Sequence, residues 1–153
     1  MLEPVPVRAG AAALHLFRRP ADPVPPARLS APLLDRFDLR LDVRPPEPDA
    51  QHGESSAVVR ERIIAAAARQ AARYRGSRWN RNAHVPAGAL AAAVPLDPDA
   101  LDAWRDRIEE RSLTGRGAAR IRRVARTLAD LDDAATVSAA HVTLASMLRE
   151  DVP

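Results

Sequence analysis

Residues 113–131 read Leu113-Thr114-Gly115-Arg116-Gly117-Ala118-Ala119-Arg120-Ile121-Arg122-Arg123-Val124-Ala125-Arg126-Thr127-Leu128-Ala129-Asp130-Leu131. Ile121, Val124, Ala125 and Leu128 fall at the three-to-four-residue spacing of one helix face. Thr114 stands where a capping hydroxyl belongs, just ahead of the periodic run. The spacing predicts a helix from Thr114 to about Leu131 with one apolar face.

The segments around it follow the same logic. Upstream, Asp97-Pro98 is an N-cap and first-turn pair, opening a helix in which Leu101, Trp104 and Ile108 face inward. Ser112 to Gly115 ends that helix. Pro86 opens a short alanine-rich helix reaching Val94. Residues 77–85 read as a loop. A longer helix starts at Ser55 or Ser56, carries Val59, Ile63, Ala66, Ala67 and Tyr74 as a stripe, and stops at Gly76-Ser77. Downstream, Ser138 caps a last helix with Ala140, Leu144 and Leu148 as core positions. Residues 45–53 form a polar, proline-rich linker. Before it, Phe37 to Val43 alternates apolar and charged residues, which predicts a strand with one buried face. A second short strand is expected at Ala12–Phe17. Six prolines keep the rest of residues 1–26 irregular. The fold class expected is mainly α: a bundle of four or five helices preceded by a short strand remnant. A lone strand needs partners that this chain hardly supplies, which hints at a piece of something larger.

Composition narrows the chemistry. Of 153 residues, 32 are alanine and 3% are aromatic, so the core must be built from small aliphatic side chains. There is no lysine and no cysteine. That excludes Schiff-base chemistry, a phosphate-loop lysine, disulfides and thiol nucleophiles in this chain. The four histidines are scattered and no metal site is expected. A net charge of +3 is a weak electrostatic case for nucleic acid. No apolar run is long enough to span a membrane, and the N-terminus lacks a signal-peptide pattern. A cytoplasmic protein without membrane partners is expected.

Three segments occur in order: Leu29-Ser30-Ala31-Pro32-Leu33-Leu34-Asp35-Arg36-Phe37-Asp38-Leu39; Gly53-Glu54-Ser55-Ser56, followed at a distance by Asn82-Ala83; and the 113–131 stretch. Together they resemble the C-terminal part of the magnesium-chelatase-like AAA+ ATPases of the ComM/YifB type, over roughly residues 27–149. The resemblance implies residues 27–44 as the end of an AAA+ core and 54–150 as the helical lid. It implies ATP and Mg2+ held mainly by a nucleotide-binding half that lies upstream in the family. The partners implied are that half or neighbouring subunits of a homo-oligomeric ring, and DNA as the remodelled substrate. A role in inserting a metal into a porphyrin ranks second within the family. The expected enzyme is an ATPase only as part of a complete ring, because the chain has no G-x-x-x-x-G-K-[ST] motif.

The same resemblance assigns residues. Arg36, with Arg28 as second choice, matches the region that sends an arginine finger into the next subunit's nucleotide. The plain alternative for Arg36 is a salt bridge to Asp35 or Asp38. Arg116 matches the sensor-2 arginine. It would sit in the first turn of its helix, where a cation opposes the dipole unless an anion is present. Arg120 and Arg123 share its face and could meet DNA phosphates, although a solvated helix face is the favoured reading. Arg122 and Arg126 share another face. Trp79, between Arg78 and Arg81, could stack on a base or pack beneath its loop. The rival from another class is a non-enzymatic arginine-rich helical module that binds nucleic acid or an acidic partner protein.

Overall fold

The structure is a computed structural model, and it describes residues 33, 36–41 and 53–149. Five α-helices run through the described part: α1 (Ser56–Arg73), α2 (Leu90–Ala93), α3 (Pro98–Glu110), α4 (Gly115–Leu131) and α5 (Ala139–Met147). Two 3-10 turns, Asn82–His84 and Ala87–Ala89, lead from α1 into α2. No strand occurs among the described residues. Their β pairing is a single parallel bridge, Leu96 to Val137, which ties the connection before α3 to the one before α5.

The helix starts obey capping chemistry. Ser55 Oγ accepts from the Val58 amide at 3.4 Å, Asp97 Oδ1 from the Ala100 amide at 2.7 Å, and Thr114 Oγ1 from the Gly117 amide at 3.1 Å. Each satisfies an amide that has no partner inside its helix. Ser138 and His141 complete a reciprocal box at the start of α5.

Two helix ends use left-handed residues. After α3, Ser112 has φ 46°. The Leu113 amide then donates to Ile108 O at 3.1 Å and the Ser112 amide to Glu109 O at 3.2 Å. After α4, Asp133 has φ 58° and the Ala134 amide donates to Ala129 O at 2.8 Å. Both are Schellman-type endings, where glycine is the residue without steric cost. Ser112→Gly is therefore expected to stabilise the bundle by about 1 kcal/mol. For a domain near this size that is a rise of about 4–8 °C in Tm. Thermal unfolding followed by circular dichroism checks it, and an unchanged or lower Tm would contradict the assignment.

The core is made of small residues. Val85, Val94, Ala100, Ala125, Ala129, Val137 and Val142 are fully buried, joined by Ile121. α4 runs through the middle, with α1 and α5 packed on it and α3 against α5. Alanines on facing helices let backbones approach closely, which compensates for the shortage of large side chains.

Three expectations need correction. The strand over Phe37–Val43 is not present in its described part, 37–41, which is irregular chain. Leu39 and Leu41, its expected buried face, are 41% and 68% exposed. No second strand stands beside it among the described residues, so there the alternation has no buried face to specify. In α1, Ala66 and Tyr74 are buried as expected, joined by Gln70, but Ile63 is 54% exposed, because only the second half of the helix meets α4. In α5 the buried positions are Val142, Ala145 and Ser146, while of the expected core positions Ala140 is exposed, Leu144 is 45% exposed and Leu148 is half-buried. That helix is apolar nearly all round, so its periodicity does not fix which face turns inward. The strand expected at Ala12–Phe17, residues 1–26, and most of the 45–53 linker lie outside the described residues.

Candidate functional site

The site is assembled at the N-terminal end of α4. Thr114 caps the helix and Arg116 stands in its first turn, exposed to solvent. That turn contains no Asp or Glu, so the positive end of a 17-residue helix and a guanidinium occupy the same place without a counter-charge from the turn itself. Backbone amides and an arginine at a helix start are the elements of an anion site.

Segment 36–41 lies beside the first turns of this helix. Asp38 Oδ1 pairs with Arg120 Nε at 2.8 Å. The Arg40 amide donates to Leu148 O at 2.8 Å, and Arg149 Nη1 donates to Phe37 O at 3.4 Å. Arg149 in turn packs against Gly117, where an added Cβ would lie 3.4 Å from Nη2. Arg36 stands on the turn that opens this segment, its amide donating to Leu33 O at 2.9 Å, with its side chain exposed. The structure thus brings the segment carrying Arg36 to the same end of the bundle as Arg116. The carboxylate of Asp38, one alternative partner for Arg36, is taken up by Arg120. Asp35 and Arg28 lie outside the described residues.

The other named side chains are turned into the fold. The Arg120 side chain is only 14% exposed, and its Nη1 is buried without a hydrogen-bond acceptor. Arg123 donates from Nε and Nη2 to Val85 O, at 3.0 and 2.8 Å, tying α4 to the loop after the first 3-10 turn. The stripe expected to face solvent from these two positions is therefore engaged within the molecule. Trp79 is half-buried, edge-on to Tyr74 at 6.5 Å between centroids, with the Arg78 guanidinium 5.7 Å from its own ring. It packs beneath its loop.

Sequence reasoning missed a buried polar network that holds α4 in place. Asp130, wholly buried in the last turn of α4, accepts from Arg73 of α1 through both guanidinium ends. It also accepts from Arg126 Nε and Nη2 at 3.2 and 3.0 Å, and from Asn82 Nδ2 at 2.9 Å. Asn82 is itself fixed: its amide donates to Gln70 Oε1 at 3.1 Å, and its Oδ1 accepts from the Tyr74 hydroxyl at 2.8 Å. Arg126 continues to Ala134 O and Ala135 O, at 2.6 and 2.9 Å, and so closes the loop leaving α4. The hydrogen bond to Asp130 raises the Arg73 pKa, whereas burial lowers that of Arg126. Both guanidinium groups stay charged in either case. The available signal was the pairing of the Asn82-Ala83 segment with Arg126 and Asp130, which ordinary periodicity reads as solvated positions.

Among the described residues, no group of three or more His, Cys, Asp or Glu side chains could hold a metal ion. No described helix is long and apolar enough to cross a membrane.

The fold is a helical bundle with a buried Asn82–Asp130–Arg126 network and an exposed arginine at the start of α4, and comparison with known proteins gives its family. Residues 53–149 match the family described as magnesium chelatase, subunit ChlI C-terminal, and the chain belongs to that family. The chain is 38% identical over 120 residues to the uncharacterized protein YifB of Salmonella typhimurium, covering 75% of this chain and 23% of that protein. It is 33% identical over 121 residues to YifB of Escherichia coli, with the same coverage. The uncharacterized protein Rv2897c of Mycobacterium tuberculosis is 36% identical over 107 residues, 68% of this chain and 21% of that protein. The chain therefore spans less than a quarter of the length of these curated relatives.

Proposed function

We propose that this chain serves as the helical lid of a ring-forming ATPase of the magnesium-chelatase type. In this reading Arg116 and the first-turn amides of α4 meet the phosphates of ATP held by a nucleotide-binding half. Arg36 reaches the ATP of the neighbouring subunit. The observation that carries the reading is Arg116 itself. It is an exposed arginine on the positive end of a helix whose first turn has no acid, while the arginines further along α4 are drawn into the fold.

The residues present suit that ligand in part. A helix N-terminus and a guanidinium are a fit for phosphate oxygens. Mg2+ finds no acidic cluster among the described residues, so its ligands would come from the nucleotide-binding half. When bound, ATP and Mg2+ supply the phosphoryl group and its charge neutralisation. This chain's share is to orient and stabilise: a permanently charged fork stabilises charge that grows on the transferred phosphoryl oxygens. The ring is proposed to remodel DNA, on the resemblance alone.

Co-assembly tests the proposal. The chain alone is expected to show no ATP turnover. Added to the nucleotide-binding part of a YifB-like protein, it is expected to raise turnover at least about 10-fold and to enter a ring-sized species in analytical ultracentrifugation. A mixture that neither assembles nor gains turnover would count against the lid reading. Steeply salt-dependent DNA binding by the isolated chain would instead favour the arginine-rich binding module.

A further inference from the structure

Arg122 is a buried cation on α4 that no carboxylate among the described residues neutralises. The residue is 8% exposed. Its Nε donates to Val94 O at 2.8 Å and its Nη2 to Ala91 O at 3.4 Å, and its guanidinium carbon lies 5.4 Å from the centroid of the Trp104 ring. None of these partners carries a negative charge. Burial lowers the Arg122 pKa, with no neighbouring carboxylate opposing the shift. Arg126, one turn further along and also buried, rests on Asp130. The contrast is physical: a charge taken out of water is costly, and an opposite charge offsets that cost more fully than neutral carbonyls do.

Arg122 also lines a cleft of about 400 Å3 between the turn leading into α2 and the facing sides of α3 and α4. Its walls include Leu90, Trp104, Ile108, Leu113 and Ala118. Gly115, the first residue of α4, lies at its edge and brings the helix's positive end to the same space. The volume falls in the range of small-molecule pockets, which combine apolar walls with a few placed polar groups. No described residue accepts from Nη1 of Arg122, which leaves a charged donor for a ligand.

We propose that this cleft binds a small aryl carboxylate, with its ring against Trp104 and its carboxylate on Arg122. A carboxylate matches the guanidinium fork and supplies the missing counter-charge. A flat ring suits the indole face and the aliphatic walls. The inference does not rest on the ATPase reading and concerns a different set of side chains from Arg116 and Arg36.

The probe is 1-naphthaleneacetate, compared with its neutral amide, on the unmodified full chain. Calorimetric titration measures affinity, and the indole N–H resonance of Trp104 reports location. The acid is expected to bind with Kd below about 1 mM and to shift the Trp104 resonance, and the amide to bind at least about 10-fold more weakly. Arg122→Met is expected to reduce the acid to the affinity of the amide. Equal affinity for acid and amide, absence of binding, or a shift confined to Trp79 would each overturn the proposal. The acid–amide comparison decides the matter even if the variant fails to fold.

Discussion

Arg116→Ala in an assembled ring is expected to lower ATP turnover by about 100-fold or more, the usual loss when one charge-stabilising donor is removed from a transition state. The same substitution should leave folding intact or slightly improve it. Arg116 is exposed, makes no ion pair among the described residues, and opposes the dipole of α4. Its removal relieves about 0.3–1 kcal/mol of unfavourable interaction. A large loss of turnover beside equal or higher thermal stability separates a functional arginine from a structural one. Arg36→Ala should also lose at least about 1000-fold, the scale of an arginine finger, and only for sites whose neighbour carries the substitution. Rings mixed from wild-type and Arg36→Ala subunits should therefore lose activity in proportion to the mutant fraction. Full turnover in both variants would remove these two residues from the proposed chemistry.

Asp130→Ala is expected to cost about 3–5 kcal/mol, because it strands Arg73 and Arg126 without their shared carboxylate. Small domains are stable by only about 5–15 kcal/mol, so this single change should bring the bundle close to unfolding at room temperature. Urea denaturation measures it. Asp102→Ala is the comparison. Its partner Arg105 lies one turn away, and both side chains are more than half exposed, at 70% and 61%. That pair is worth a fraction of a kcal/mol. A loss below about 1 kcal/mol at Asp130 would mean that water or rearranged donors replace the carboxylate, and that the network is not what fixes α4.

The helices were legible because their ends carry strong local chemistry. Asp97 and Thr114 cap where sequence reasoning put them, and Ser55 is one of the two serines it offered, since a side-chain oxygen at that position satisfies an amide whatever the tertiary context. The interior was less legible wherever arginine was involved. Arg122, Arg123 and Arg126 occupy helix positions that charge alone assigns to solvent, yet each reaches a carbonyl or carboxylate inside the fold. Their long side chains allow this. The acceptors of Arg122 and Arg123 lie 28 and 38 residues away, where no local pattern announces them, and Arg126 reaches Asp130 four residues on. The 37–43 alternation misled for the opposite reason: the pattern was real, but a strand exists only through its neighbours. Of the candidate site, the exposed first-turn position of Arg116 was legible from the sequence, while the roles proposed for Arg116 and Arg36 both rest on resemblance to a family.

The two ends of α4 are treated differently, and this gives the helix a mechanical character. Its last turn is bolted through Asp130 to α1 and the 82–84 turn, while its first turn presents Arg116 to the outside. At about 1.5 Å per residue, the helix is a stiff rod about 25 Å long. A tilt of about 5° about the bolted end carries the arginine end about 2 Å, close to the difference between a made and a broken hydrogen bond. Such a tilt would have to carry with it the contacts that Arg120, Arg122 and Arg123 make further along α4, which couples the position of Arg116 to segment 36–41 and to residues 85–94.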